Sequence, residues 1–281
     1  MAGRLLVVGT PIGNLGDLTS RAADALRTAD VIVAEDTRMA RRLLAHLGAK
    51  RQTVSYNDHS PEARLGELLD RLAAGATLAF TTDAGMPAVS DPGARLVEAA
   101  RAAGASVEVL PGPSAVTAAI AVAGVESLGF LFGGFLPPRP VAARNAALRR
   151  LLDASGSAGL PLVLFEAPPR MDALLASLER EVPDARVAVC RELTKLHEEV
   201  LVGTPAEVRA ARSETRGELT LVISRIPRPE PAAGLSVTAL VDAAVRAGLS
   251  ARTIVELLRA TGVPRREAYK VAQSSAAVSD D

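Results

Sequence analysis

The sequence predicts an α/β protein, two successive α/β domains followed by a small helical extension. Three observations carry this. Short apolar runs alternate with amphipathic stretches through the first 115 residues. A second set of such runs continues to residue 226, and loops rich in glycine, proline and polar groups stand at the strand ends. Continuous apolar runs mark strands buried on both faces, and strand–helix alternation implies a parallel sheet with right-handed crossovers.

Residues 5–8, Leu-Leu-Val-Val, form the first strand. The stretch 20–29 is helical, because Ala22, Ala25, Leu26 and Ala29 recur at i, i+3, i+4 and i+7. A strand over 31–34 and a helix over 37–47 follow, then strand 53–56 and helix 61–73. Strand 78–80, helix 94–103 and strand 107–110 complete a five-stranded unit. Pro111-Gly112-Pro113 punctuates the chain before a helix of small residues, 114–123. In the second stretch, strands are expected at 131–135, 162–165, 187–191, 200–203 and 219–224. The domains are therefore 1–115 and 116–226, joined by a proline-rich linker, 227–236, to an extension over 237–281. Proline density makes such a linker stiff and extended. Three short helices are expected in the extension, at 237–247, 251–260 and 265–273, with Ser250 as a cap. They read equally as a helix-turn-helix or as a packing appendage. No internal repeat is visible.

Composition narrows the class. The chain has 281 residues, 48% hydrophobic, with 18 prolines and 22 glycines, which suits a folded protein. No apolar run approaches the ~20 residues that span a bilayer. The first strand follows Met1-Ala2-Gly3-Arg4 directly, leaving no room for a signal peptide, and the one cysteine, Cys190, excludes a disulfide framework. A cytoplasmic protein with no membrane partner is expected. Net charge is zero, so a surface that grips polyanions throughout is excluded. Basic residues do gather locally, at Arg139, Arg144, Arg149 and Arg150, and again between residues 243 and 272.

Residues 80–93, Phe-Thr-Thr-Asp-Ala-Gly-Met-Pro-Ala-Val-Ser-Asp-Pro-Gly, stand between a strand and a helix. Prolines fix φ and glycines release it, so this backbone is shaped to meet a ligand at the carboxyl end of a strand. Gly9-Thr10-Pro11-Ile12-Gly13 occupies the equivalent place after the first strand but lacks the spacing of a dinucleotide fingerprint, and no P-loop is present. Pro11 and Pro87 remove amide donors that a phosphate would want, which favours a cationic, partly apolar ligand. Glu35-Asp36-Thr37-Arg38 either orients a proton donor or caps a helix. With three histidines, one cysteine and no H-E-x-x-H, no metal site is expected. No serine-hydrolase elbow appears.

Seven segments in order, TPIGNL (10–15), AEDTR (34–38), DAG-P (83–87), SDPG (90–93), PGPSA (111–115), GFLP (134–137) and RELTKLHEE (191–199), resemble the tetrapyrrole-methylase superfamily. Within it they are most similar to the branch acting on small-subunit ribosomal RNA. The resemblance covers residues 5 to about 224 and, more loosely, the extension. It implies a mixed second sheet, a homodimer, and S-adenosylmethionine held between the two α/β domains. By the same resemblance Pro11, Thr82, Asp83, Ala84, Val89, Ser114, Ala115, Phe165, Leu193 and Leu219 hold that cofactor. It further implies 2′-O-methylation of a cytidine in the decoding region of 16S RNA. On this reading Asp36 and His197 are the candidate bases. Arg38, Tyr56, His59, Arg170, Lys195, Arg265 and Arg266 contact RNA, with Tyr56 stacking a flipped nucleotide. The chain departs from the family pattern at Thr82, Met86, Asn57 and Pro169, and neither Asn57 nor Pro169 can act as a base. A methyltransferase for a tetrapyrrole or another small molecule is the alternative, and a non-enzymatic nucleic-acid-binding regulator is a third reading.

Overall fold

A computed structural model describes residues 3–213, 216–228, 241, 243–245, 249–260, 263–264, 266 and 268–271. The chain divides into two units, Met1–Arg228 and Pro229–Asp281, and both sheets belong to the first.

The first sheet contains β1 (Arg4–Val8), β2 (Val31–Ala34), β3 (Gln52–Ser55), β4 (Thr77–Thr81) and β5 (Ser106–Leu110), in the order β3-β2-β4-β1-β5. All four ladders are parallel, as the alternation of strands and helices requires. Helices α1 (Ser20–Thr28) and α2 (Thr37–His46) cover one face, packing Ala22, Leu26, Leu43 and Leu44 against Leu6, Val8 and Ile32. Helices α3 (Glu62–Ala73) and α4 (Ala94–Ala102) cover the other, where Leu68, Leu72 and Leu96 meet Leu5, Val33, Leu78 and Phe80. Adjacent residues of β1 thus serve opposite cores, the reason its sequence is apolar throughout. The chain leaves β1 toward one face and β4 toward the other. Such a reversal between neighbouring strands opens a crevice at their carboxyl ends.

Helix α5 (Ala115–Ala123) leads into the second sheet, formed by β6 (Leu131–Phe135), β7 (Leu162–Glu166), β8 (Arg186–Arg191), β9 (Glu199–Gly203) and β10 (Leu219–Ser224). Its order is β6-β7-β10-β8-β9, with β6 and β7 parallel and the remaining ladders antiparallel, the mixed sheet implied by the resemblance. Val163, Ala188, Cys190 and Val222 pack on Val116 and Ala119 of α5. The opposite face is covered by α6 (Val141–Ala158), α7 (Pro168–Glu181) and α8 (Pro205–Ala211). These three helices are not marked by the periodicity reading. In α6 small residues such as Ala142, Ala143, Ala146 and Gly156 blur the apolar stripe. Of the extension, Ala251–Ala260 is helical as expected, with Ser250 Oγ accepting from the N–H of Thr253 at 3.2 Å. Much of the expected linker and both flanking helices lie partly outside the described residues.

Two local constraints fix how the crevice is shaped. At the end of β1, Thr10 and Gly85 exchange backbone hydrogen bonds of 2.9 and 3.0 Å. Beside them Gly9 and Gly112 lie so close that a Cβ on Gly112 would stand 2.7 Å from the carbonyl carbon of Gly9. The loops after β1, β4 and β5 are thereby stitched together. On the second sheet, the fully enclosed carboxylate of Glu166 ends β7. It accepts from Arg144 of α6 at 3.0 Å, Arg170 of α7 at 2.7 Å and the N–H of Ala167 at 2.8 Å.

Gly112→Ala is expected to destabilise the protein by about 1–3 kcal/mol, the usual cost of overpacking, since backbone rather than a flexible side chain must yield. Glu166→Gln is expected to cost about 3–5 kcal/mol, because it strands the buried Arg144 guanidinium without its counter-charge. Urea unfolding of each variant measures both.

Candidate functional site

The crevice holds two adjoining cavities. The first, about 380 Å³, is walled by Ile12, Met86, Val89, Phe135, Phe165 and Leu219, with Asp83, Asp91, Ser114 and Glu218 among its polar groups. Phe135 and Phe165 form a tilted ring pair, centroids 5.4 Å apart, and Phe132 braces Phe165 edge-on at 5.1 Å. The second cavity, about 480 Å³, lies between the loop after β1 and the start of α2. Thr10, Pro11, Gly13, Leu15, Met39, Arg42, Thr82 and Lys195 line it. Asp83, Ala84, Ile12 and Glu218 border both.

Backbone conformation shows how these loops are held. Ala88 and Ser90 adopt φ of 66° and 61° in the loop after β4, and Glu192 and Thr194 adopt 52° and 68° in the loop after β8. Each such residue costs of order 1–3 kcal/mol and persists only where its surroundings impose it. Lys195 lies against Gly13, where a Cβ would collide with its Cγ. Its ammonium pairs with Glu192 at 2.9 Å and Glu218 at 3.2 Å, tying the loop after β8 to the residue that precedes β10.

The acids of the crevice fall into two groups. Partial desolvation raises Asp83 above the ordinary carboxylate value, and the negative charge of Asp36 adds to it. Glu35 and Asp91 are raised in the same way, first by burial and then by Asp83. Asp36 behaves oppositely. Its carboxylate caps α2, accepting from the N–H of Arg38 at 2.8 Å, and binds the Arg38 guanidinium at 2.6 and 3.0 Å. Those bonds hold it down at about 2.

Of the expected cofactor residues, Asp83, Ala84, Val89, Ser114, Ala115, Phe165 and Leu219 line the first cavity, and Pro11 and Thr82 the second. Leu193 lines neither. It is buried in the core with Ile12, Val116 and Cys190. The other expected residues take varied surroundings. Tyr56 is 2% exposed and packs edge-on to Phe80 with ring centroids 6.2 Å apart, so no face is left on which to stack a base. Asp36 is a cap and ion-pair partner, too weakly basic at about 2 to abstract a proton near neutrality. Arg170 is committed to Glu166 and Arg38 to Asp36. Lys195 faces the second cavity but is matched by two carboxylates. His59 and His197 are exposed and line neither cavity. Arg144, from one basic cluster, is buried, and Arg149 pairs bidentately with Glu181. Arg266 is exposed, and Arg265 lies outside the described residues. Among the described residues no His/Cys/Asp/Glu group could hold a metal, and no helix is long and apolar enough to cross a membrane.

Sequence reasoning missed Asp91, Phe135, Glu218 and the α2 residues Met39 and Arg42. Asp91 and Phe135 sit inside segments already noted, SDPG and GFLP. Nothing marks Glu218, which is brought to the crevice by β10.

Comparison with known proteins agrees with this architecture. Residues 4–209 match the family model described as Tetrapyrrole (Corrin/Porphyrin) Methylases. A Mycobacterium tuberculosis protein named ribosomal RNA small subunit methyltransferase I is 41% identical over 275 residues, 95% of this chain and 94% of that one. A Xylella fastidiosa protein of the same name is 39% identical over 275 residues, covering 95% and 98%. Among solved structures, the uroporphyrin-III C-methyl transferase of Thermus thermophilus, complexed with S-adenosyl homocysteine, shares the fold with a TM-score of 0.55. It is 21% identical, over 80% of this chain and 98% of that chain. With a family match spanning most of the sequence and relatives near 40% identity along nearly its full length, the chain belongs to the tetrapyrrole (corrin/porphyrin) methylase family.

Proposed function

We propose that this protein methylates small-subunit ribosomal RNA at the ribose 2′-oxygen of a cytidine, with S-adenosylmethionine as donor. The observation that carries the reading is the pair of cavities meeting at Asp83, one apolar and aromatic, the other lined by Thr10, Thr82, Arg42 and Lys195 beside α2. The relatives' shared name supplies the substrate class. An assembled subunit as the acceptor and a homodimeric enzyme belong to the same proposal.

The residues of the first cavity suit the cofactor. Phe135, Phe165, Leu219 and Val89 offer apolar surface to an adenine, while Asp91 offers acceptors to ribose hydroxyls and negative charge to a sulfonium. Pro11 lacks an amide hydrogen, so the loop after β1 is no phosphate cradle. The bound cofactor supplies an electrophilic methyl group. What the protein supplies is position, worth up to about 7–11 kcal/mol when two reactants are held in line. The Thr10–Gly85 bridge and the Gly9–Gly112 approach hold the walls of both cavities in one arrangement. Asp83, on the common wall, is the carboxylate placed to accept the proton of the 2′-hydroxyl, and its raised basicity suits that role better than Asp36. Asp36 and Arg38 act as positioning residues, fixing the first turn of the helix that walls the second cavity.

The charge state of Asp83 has a definite pH dependence. As a base it must be ionised, so turnover rises with pH through a value above the ~3.9 of an ordinary aspartate. Its effect on folding has the opposite sense. A raised native value favours the protonated form, so stability from this group is present below the unfolded value and fades as pH climbs through the native one.

Asp83→Asn is expected to lower turnover on small-subunit particles by about 10²–10⁴-fold, with donor affinity by calorimetry changed far less. A loss confined to donor affinity would remove Asp83 from the proton-transfer role. The wider reading is checked by mass spectrometry of ribosomal nucleosides from cells with and without the gene. 2′-O-Methylcytidine should disappear on deletion, and its persistence would refute the assigned reaction.

A further inference from the structure

Helix α2 carries a charge pattern that the reaction itself does not require. Its sequence, Thr-Arg-Met-Ala-Arg-Arg-Leu-Leu-Ala-His, holds three arginines and a histidine and no acid. Ala40, Leu43 and Leu44 face the sheet, which turns Arg38, Arg41 and Arg42 to solvent. Arg38 is neutralised by Asp36, but Arg41 makes only a neutral contact, Nε to Thr53 Oγ1 at 3.2 Å. Arg42 reaches the second cavity, its guanidinium 3.9 Å from Met39 Sδ. Among the described residues neither Arg41 nor Arg42 has a carboxylate within ion-pairing distance.

Several exposed arginines elsewhere are matched, Arg4 by Glu108, Arg95 by Glu62, Arg149 by Glu181 and Arg209 by Asp172, whereas α2 sets two unmatched ones side by side, on a helix without an acid, at the mouth of the second cavity. Beyond the carboxyl end of α2, the exposed Lys50 and Arg51 continue the basic surface, and Arg51 Nε donates to the carbonyl of Arg27 at 2.5 Å. A helix of this length spans about 15 Å. On a chain of zero net charge, unmatched cations concentrated on one helix beside a cavity mouth constitute a local attractive field for a polyanion.

We infer that the outer face of α2 is the docking surface for the phosphodiester backbone of the RNA, with Arg41 and Arg42 contacting phosphates and leading the strand to the second cavity. The inference rests on the proposed RNA substrate and adds where that substrate is gripped. Charge complementarity selects this occupant: arginine's fork matches phosphate oxygens, and an apolar or cationic partner would leave the arginines unpaired.

The double variant R41E/R42E, with Arg4→Gln as a control at a matched surface arginine, tests it on the full-length protein. Binding to small-subunit particles is measured by filter retention over a salt series, and donor binding by calorimetry. The double variant should bind particles at least tenfold more weakly. Its log K against log [salt] slope should fall by roughly 1.4–1.8, about 0.7–0.9 for each lost phosphate contact. Donor affinity should stay within about twofold of the wild type, as in the control, which shows that the fold is intact. Arg41→Lys/Arg42→Lys should restore most of the salt slope. Wild-type activity on RNA together with an unchanged slope in R41E/R42E would overturn the docking surface alone. A wild type that methylates no RNA would overturn the substrate assignment and the surface with it.

Discussion

Everything about the crevice depends on how closely three loops approach at the carboxyl ends of β1, β4 and β5. Gly9 and Gly112 touch backbone to backbone, and Thr10 and Gly85 add a short antiparallel bridge across the same place. Side chains larger than hydrogen at either glycine would force the loops apart. Because the loops are joined to one another, the cavities they wall have a defined shape before any ligand arrives. This is the preorganisation that in-line transfer needs, since misplaced reactants lose most of the advantage of being bound together.

The second sheet contributes differently. The carboxyl end of β7 is anchored by a buried carboxylate shared between two arginines, an arrangement that costs much desolvation and is tolerated only when every partner is present. The aromatic wall of the first cavity, Phe135 and Phe165, rises from β6 and β7 beside that anchor. Meanwhile Lys195 spans from the loop after β8 to Glu218, so the far wall is closed by charge pairing rather than packing. Each wall thus has its own means of support, and the acids with raised affinity for protons, Glu35, Asp83 and Asp91, are the partly buried ones.

Electrostatics divides the acids into structural and chemical roles. Asp36 and Asp83 are within each other's field, yet one is held near 2 by hydrogen bonds to Arg38 and the other is pushed upward by desolvation. Environments that push carboxylates apart are a common way for one site to keep an anchor ionised and a base poised. The same principle explains why the exposed face of α2 stands out: its first arginine is absorbed by the cap, and the next two are not.

From sequence alone, apolar run length and loop composition determined the two α/β stretches, nearly every strand, and the loops that line the cavities. Those signals are local, and strands buried on both faces are apolar whatever surrounds them. The expected cofactor positions came instead from the family resemblance, and most of them line the two cavities. Only the tertiary structure decided the fate of individual side chains. Tyr56 follows a strand as a ligand-contacting residue would, but the neighbouring Phe80 and α3 enclose it. Asp36 and Arg38 neutralise each other, Arg170 is drawn to Glu166, and Glu218 and Arg42 reach the crevice from elements far apart in the chain. Pairing of charges and burial of rings depend on which elements become neighbours, and strand order brings together residues that no local pattern connects.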